Sequence, residues 1–158
     1  MKVIFLDVDG VLNCGYSCSR APHGCIGVDD DKVSLLKKIV DATGARIVLS
    51  STWKQEWGKG DGIGDDGKYL IRKLAKEQLE IFDITRDEVW DRGGGIVRWI
   101  AEHPPVEAGV VLDDDVFSDF ESCGVLPHFV KTSFMLGGLN EEHVEKCIRI
   151  LTDEAQPA

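Results

Sequence analysis

Three short stretches of the chain carry unbroken apolar runs. They are VIFL at Val3–Leu6, IVL within Arg46–Ser50 and VVL within Ala108–Asp113. Runs of this length, rich in β-branched residues, predict strands buried on both faces. Weaker strands are expected at Leu79–Ile84 and His128–Lys131. Between them the apolar residues recur at helical spacing. Val33, Leu36, Ile39 and Val40 predict a helix over Asp30–Ala42, stopped at Gly44. Further helices are expected at Thr52–Trp57, at Lys68–Glu77, around Ile96, Val97 and Ile100 up to His103–Pro105, and at Val116–Cys123. Val144, Cys147, Ile148 and Leu151 mark a last amphipathic helix with Asn140 as its cap. This alternation predicts an α/β domain, a mainly parallel sheet covered by helices on both faces. The expected domain spans 1–152, with 153–158 as a flexible tail.

The polar residues that end the strands matter most. The three best strands close as LDVD, VLSST and VLDDD, delivering Asp or Ser to the edge where parallel sheets form their sites. One such ending is ordinary turn or cap chemistry. Three on one rim point to a shared site. Asp7 and Asp9, one residue apart, would repel each other in a closed pocket unless a hard cation or a two-acid reaction resolved the conflict. The acids of Val28–Asp31 have a structural explanation instead, as cap and first turn of a helix.

Composition narrows the classes. With 158 residues, 43% of them hydrophobic and 29% charged, the chain resembles an ordinary globular domain. The net charge of −10 argues against broad adhesion to nucleic acid or anionic membrane, but leaves room for a local basic pocket. No apolar run approaches the roughly 20 residues of a membrane span. Lys2 already enters a strand, leaving no space for a leader, so a cytoplasmic location is expected. The five cysteines are then expected as reduced thiols.

DVDGVLN resembles the first motif of the haloacid dehalogenase (HAD) superfamily, phosphotransferases with an aspartate nucleophile. IVLSSTWK followed by RGGGIVRWIAEH and VVLDDD resembles one branch, the small phosphatase-like domains of Swiss Army Knife RNA repair proteins, related to polynucleotide kinase-phosphatases. The resemblance runs from Lys2 to Leu151. It implies a Rossmann-like three-layer sandwich without a large cap domain, and a Mg²⁺-dependent phosphomonoesterase working through an aspartyl-phosphate. By the same resemblance Asp7 is the nucleophile and Asp9 the acid–base. Gly10 allows the turn at the substrate, and Ser50 with the Ser51 amide binds phosphoryl oxygens. Arg92 stands where the family places a basic residue, usually lysine, and Lys54 is the alternative. Asp7, Asp9, Asp113 and Asp114 make up the implied metal site, with Asp115 equally explained as a helix cap. Arg is a planar fork and Lys a point charge, so the exchange is not neutral.

The implied substrate is a phosphate at a polynucleotide end. A small phosphometabolite or nucleotide is the runner-up, and a phosphoacceptor or phosphate-binding module without turnover is the reading from another class. Cys14, Cys18, His23 and Cys25 are of zinc-ligand type, but a rim loop touching substrate through Arg20 or His23 is preferred. GKGDGIGDDG at Gly58–Gly67 lacks the P-loop and EF-hand patterns and is expected as an exposed mobile loop. Trp53, Trp57, Trp90 and Trp99 are expected as packing residues, with base stacking the alternative. The oligomeric state is left open.

Overall fold

Alternation along each central strand sends successive side chains to opposite faces, and that sorting builds the domain. In the computed structural model, which describes residues 1–87 and 91–153, Ile4, Leu6, Ile47, Leu49, Val110 and Leu112 lie in one core. Val3, Phe5, Val48 and Val111 lie in the other.

The elements run β1 (Lys2–Leu6), α1 (Asp30–Thr43), β2 (Arg46–Leu49), β3 (Trp57–Lys59), β4 (Gly62–Ile63), α2 (Asp65–Ala75), β5 (Ile81–Ile84), α3 (Arg92–Glu102), β6 (Ala108–Asp113), β7 (Phe129–Lys131) and α4 (Glu141–Thr152). The main sheet has the order β5-β2-β1-β6-β7 with every pairing parallel. The first core takes Val33, Leu36 and Ile39 of α1, Leu70 and Leu74 of α2, and Val144, Cys147 and Leu151 of α4. The second takes Ile96 and Trp99 of α3. The result is a Rossmann-like sandwich of helix, sheet and helix layers, as expected.

Local signals fix the helix ends. Gly44 closes α1 in the left-handed conformation, φ 71°, where a Cβ would strain the backbone. Asn140 caps α4 through a reciprocal capping box with His143. The acids before α1 divide their work. Asp30 and Asp31 fill the first turn, whereas the Asp29 carboxylate accepts from the Ser17 and Ser19 hydroxyls at 2.5 and 2.7 Å. The acidic run thus braces the loop leading into the helix.

Two expectations need correction. Gly58–Gly67 is not a loop throughout: it contains the antiparallel pair β3–β4 and the first turn of α2. Gly58 (φ 92°) and Gly60 (φ 59°) let the chain reverse, and a Cβ on Gly67 would lie 2.5 Å from Ile63. Val116–Cys123 forms irregular chain and turns rather than a helix. Its side chains are committed elsewhere: Phe120 enters the second core, Phe117 covers an arginine, and Asp119 reaches the start of α3. The tail beyond Asp153, and Trp90, lie outside the described residues. No helix among those described is long and apolar enough to cross a membrane.

All five cysteines are free. Cys147 is fully buried and burial pushes its thiol up to about 12. Burial and the nearby Asp66 and Asp9 raise the exposed Cys25 thiol more mildly. In the native protein a thiol reagent at pH 8 should therefore label Cys18 fastest and Cys25 more slowly, leaving Cys14 and Cys147 silent until unfolding. Mass mapping of a labelling time course would expose rapid reaction at Cys147 and contradict this packing.

Candidate active site

The sheet's carboxyl edge extends one residue past four of its strands. Asp7 N–H donates to Leu112 O (2.9 Å), Ser50 N–H to Leu6 O (2.9 Å), Thr85 N–H to Leu49 O (3.0 Å) and Thr132 N–H to Asp113 O (2.9 Å). Asp7, Ser50, Thr85, Asp113 and Thr132 consequently form one buried polar row beyond an apolar sheet. Thr85 and Thr132 were readable by the same rule that found the other three, as the first polar residues after LEIFDI and HFVK.

After Asp7 the chain turns at once: Val11 and Leu12 N–H both return to Val8 O. Gly10 has φ 83°, and a Cβ there would sit 2.3 Å from an Asp114 oxygen. The glycine is required both by the turn and by the approach of Asp114. Asn13 Oδ1 accepts from Gly10 N–H at 2.9 Å, and Thr132 Oγ1 donates to Gly10 O at 2.6 Å. Two residues to which the motif reading gave no role thus pin the turn after Asp7 from both sides.

Asp7 and Asp9 part company. Asp7 is buried, and its carboxylate joins Asp113 and Asp114 in a cluster whose ligand oxygens lie within 4.8 Å of one another. Asp9 is exposed and accepts from Asn13 Nδ2 (2.9 Å) and Trp53 Nε1 (3.1 Å). The structure therefore does not bring the side chain of Asp9, expected among the metal ligands, into this cluster. An i, i+2 pair cannot aim both carboxylates at one point while the second is held by Asn13 and Trp53.

The cluster is electrostatically strained. Burial above all, then the Asp113 charge, raises the Asp7 carboxyl well above the ordinary range, against the pull of Arg92 and a hydrogen bond from the Ser51 hydroxyl. Asp114 is raised for the same two leading reasons. Asp113 is wholly buried, with Oδ1 accepting from Asp115 N–H (3.0 Å) and Oδ2 from Arg92 Nη1 (2.6 Å). Asp115 thus contributes its backbone amide. Three carboxylates converging with their charges incompletely offset are the donor set a hard divalent cation requires, and they fit Mg²⁺.

Both candidate cations reach this edge. Arg92, the first residue of α3, has Nη1 3.7 Å from Asp7 Oδ1, and its guanidinium lies 4.2 Å from the Phe117 ring centroid. Its Nε is buried without a partner among the described residues. Lys54 Nζ donates to Thr85 Oγ1 (3.0 Å) and to Asp87. Burial lowers its ammonium despite Asp87, and the charges of Arg92 and Asp7 both act on it. The sequence posed the two as alternatives, but the structure brings both to this edge.

The serines exchange emphasis. The Ser51 hydroxyl pulls the Asp7 carboxyl down and accepts from Trp53 N–H at 3.2 Å, whereas Ser50 Oγ is buried with no partner among the described residues. Arg20 is exposed and donates to Ser17 O (2.9 Å) and Ser19 O (2.8 Å) of its own loop. Nothing in its contacts joins it to the acidic row. The zinc-type residues turn to separate partners: Cys14 to Ser17, His23 to Asp65 and Cys25 to Asp66. The last two fasten the loop to the start of α2. Trp53 supports Asp9, Trp99 stacks on His103 in the α3 layer, and Trp57 is half-buried.

Comparison with curated proteins and with solved structures gives no match. A family model, described as the HAD domain in Swiss Army Knife RNA repair proteins, matches residues 3–144. That span holds the Asp7 turn, the serine-ended strand, the Arg92 helix and the Asp113–Asp114 pair, in the order the fold brings to one edge. The chain belongs to this family, and with it to the phosphatase-type hydrolases of the HAD superfamily.

Proposed function

We propose that the protein is a Mg²⁺-dependent phosphomonoesterase that works through an aspartyl-phosphate on Asp7 and acts on phosphorylated polynucleotide ends. The observation that carries this reading is the division of labour among the acids. Asp7 lies with Asp113 and Asp114 under Arg92 and Lys54, while Asp9 stands apart on neutral donors.

Asp7 Oδ attacks phosphorus, and the bond from phosphorus to the leaving oxygen breaks as Asp9 delivers a proton to that oxygen. Asp9 then takes a proton from water, the water oxygen bonds phosphorus, and the Asp7–phosphorus bond breaks to release inorganic phosphate. Asn13 and Trp53 orient Asp9 for both transfers. Arg92 and Lys54 balance charge on the phosphoryl oxygens, and the buried Arg92 Nε and Ser50 Oγ are donors in want of an acceptor. Asp7, Asp113 and Asp114 would hold Mg²⁺, which when bound offsets the negative charge gathered between carboxylates and phosphate.

The family's association with RNA repair supports a polynucleotide substrate. The short connections around the row support it as well. Among the described residues the span between β1 and α1 has one isolated β-bridge, and the span between β2 and β5 contains a hairpin and α2. Neither span adds a separate cap domain, which leaves selectivity to loops or to a bulky substrate.

The test is a panel of 3′- and 5′-phosphorylated oligonucleotides, sugar phosphates and an aryl phosphate. An oligonucleotide is expected to have the highest kcat/KM, because contacts beyond the scissile phosphate supply orientation. Its KM should rise with salt at a log–log slope of about 1.4–2.1, two or three single-strand phosphates at about 0.7 each. Faster cleavage of a sugar phosphate than of any oligonucleotide would reassign the substrate. No cleavage of the aryl phosphate would remove the hydrolase reading.

A further inference from the structure

The RGGG run at Arg92–Gly95 opens α3 with three glycines, a costly choice for a helix start. Each glycine faces a carboxylate. A Cβ on Gly93 would lie 2.8 Å from Asp119 Oδ1, one on Gly94 2.2 Å from Asp91 Oδ1, and one on Gly95 2.5 Å from the Asp87 Cβ. Two of these acids are tied to the cations of the site. Asp119 accepts from both Gly93 N–H (3.0 Å) and Gly94 N–H (2.9 Å), the amides next to Arg92. Its own segment also lays Phe117 against the Arg92 guanidinium. Asp87 is buried against Gly95 and binds the Lys54 ammonium together with Thr85 Oγ1, which it receives at 2.9 Å.

We propose that Asp119 and Asp87 are positioning residues, Asp119 for Arg92 and Asp87 for Lys54, and that Gly93 and Gly95 are glycines in order to admit them. Neither acid is among the carboxylates that converge on Asp7. Asp119 bonds the free amides of the first helical turn, which fixes where α3 starts and so where Arg92 projects. Asp87 packs on the next turn of the same helix, so the spacing between the guanidinium and the ammonium is set from one mount. The inference rests on the reading of Arg92 and Lys54 as phosphate-binding cations.

The experiment measures affinity for inorganic phosphate by calorimetry with Mg²⁺ present, beside kcat and KM on an aryl phosphate. Asp119→Asn and Asp87→Asn are the variants. Asn140→Ala, which removes the cap of the distant α4, is the control for a loss of helix-end stability alone. Each Asp variant is expected to weaken phosphate binding about tenfold, and to lower kcat/KM at least as much, which corresponds to one charge-assisted contact misplaced. Asn140→Ala should lower Tm yet leave phosphate affinity within twofold. Asp119→Glu, which keeps the carboxylate, should recover part of the loss. Phosphate affinity in an Asp variant that matches Asn140→Ala overturns that residue's assignment. Wild-type protein that binds no phosphate contradicts the underlying reading of the site instead, so the two failures are separable.

Discussion

Asp7→Asn is expected to reduce aryl-phosphate hydrolysis to background while making the chelated protein more heat-stable. The catalytic loss follows from chemistry: an amide oxygen is a poor nucleophile toward phosphorus, and removing a covalent nucleophile costs on the order of 10⁴-fold or more. The stability gain follows from electrostatics. Burial, then the Asp113 charge, hold the Asp7 carboxyl well above its ordinary pKa. A group raised in the folded state favours folding fully below its unfolded pKa, and that advantage is lost as pH rises through the folded value. Without metal, raising the pH above the unfolded value therefore works against the fold at this carboxyl, and asparagine, which carries no charge, relieves it. Each kcal/mol relieved raises Tm by about 2–4 °C in a domain of this size. The gain should shrink as pH falls, because wild-type Asp7 then takes up its proton. Calorimetry in EDTA at pH 5 and pH 7.5, beside a turnover assay, reads both effects. Near-normal turnover would exclude the covalent route, and a lower Tm at pH 7.5 would contradict the strained cluster.

How much of this was legible in the sequence depends on whether a signal was local or shared between distant segments. Val3–Leu6 and Ala108–Asp113 were readable because strands buried on both faces leave continuous apolar runs. Gly44 and Asn140 were readable because caps are chosen by their own backbone geometry. The Gly58–Gly67 hairpin was not, since two residues of β4 give no periodicity to detect. The helix read at Val116–Cys123 failed for a related reason. Its apolar residues have helical spacing, but Phe117 covers an arginine, Phe120 enters the second core and Asp119 between them reaches a helix start.

The site divides along the same line. Asp7, Ser50 and Asp113 announce themselves by ending strong strands, and Thr85 and Thr132 were obscured by weaker ones. The separation of Asp9 from the cluster could not be read from spacing, because Trp53 Nε1 comes from a turn 44 residues away. Nor could the joint presence of Arg92 and Lys54, since Thr85 and Asp87 hold the lysine from beyond a different strand. A linear motif records which residues a site uses. Which of them share a point in space is decided by side chains the motif does not contain.

Chelation is expected to abolish turnover, and Mg²⁺ to restore it along with a large gain in thermal stability. Asp7, Asp113 and Asp114 lie within 4.8 Å of one another, and the described cations offset them from one side, through Arg92 on Asp113 and Asp7. A divalent cation bound to the native cluster, but not to the unfolded chain, stabilises by about 2.7 kcal/mol at a hundred times its Kd. That corresponds to a Tm rise of roughly 5–11 °C at this chain length. Ca²⁺ should stabilise as well but support little turnover, because its longer, looser coordination misplaces the phosphoryl group for in-line attack. Asp114→Asn should separate the two roles. It removes one of the three clustered carboxylates while leaving Asp7 and the Arg92–Asp113 pair intact, so the Mg²⁺ concentration for half-maximal activity should rise by about tenfold or more at a smaller cost in kcat at saturation. Scanning Tm and turnover against Mg²⁺ for wild type and Asp114→Asn gives both curves. Full activity after exhaustive chelation, or superimposable Mg²⁺ curves for the two proteins, would mean that this cluster is not where the metal acts.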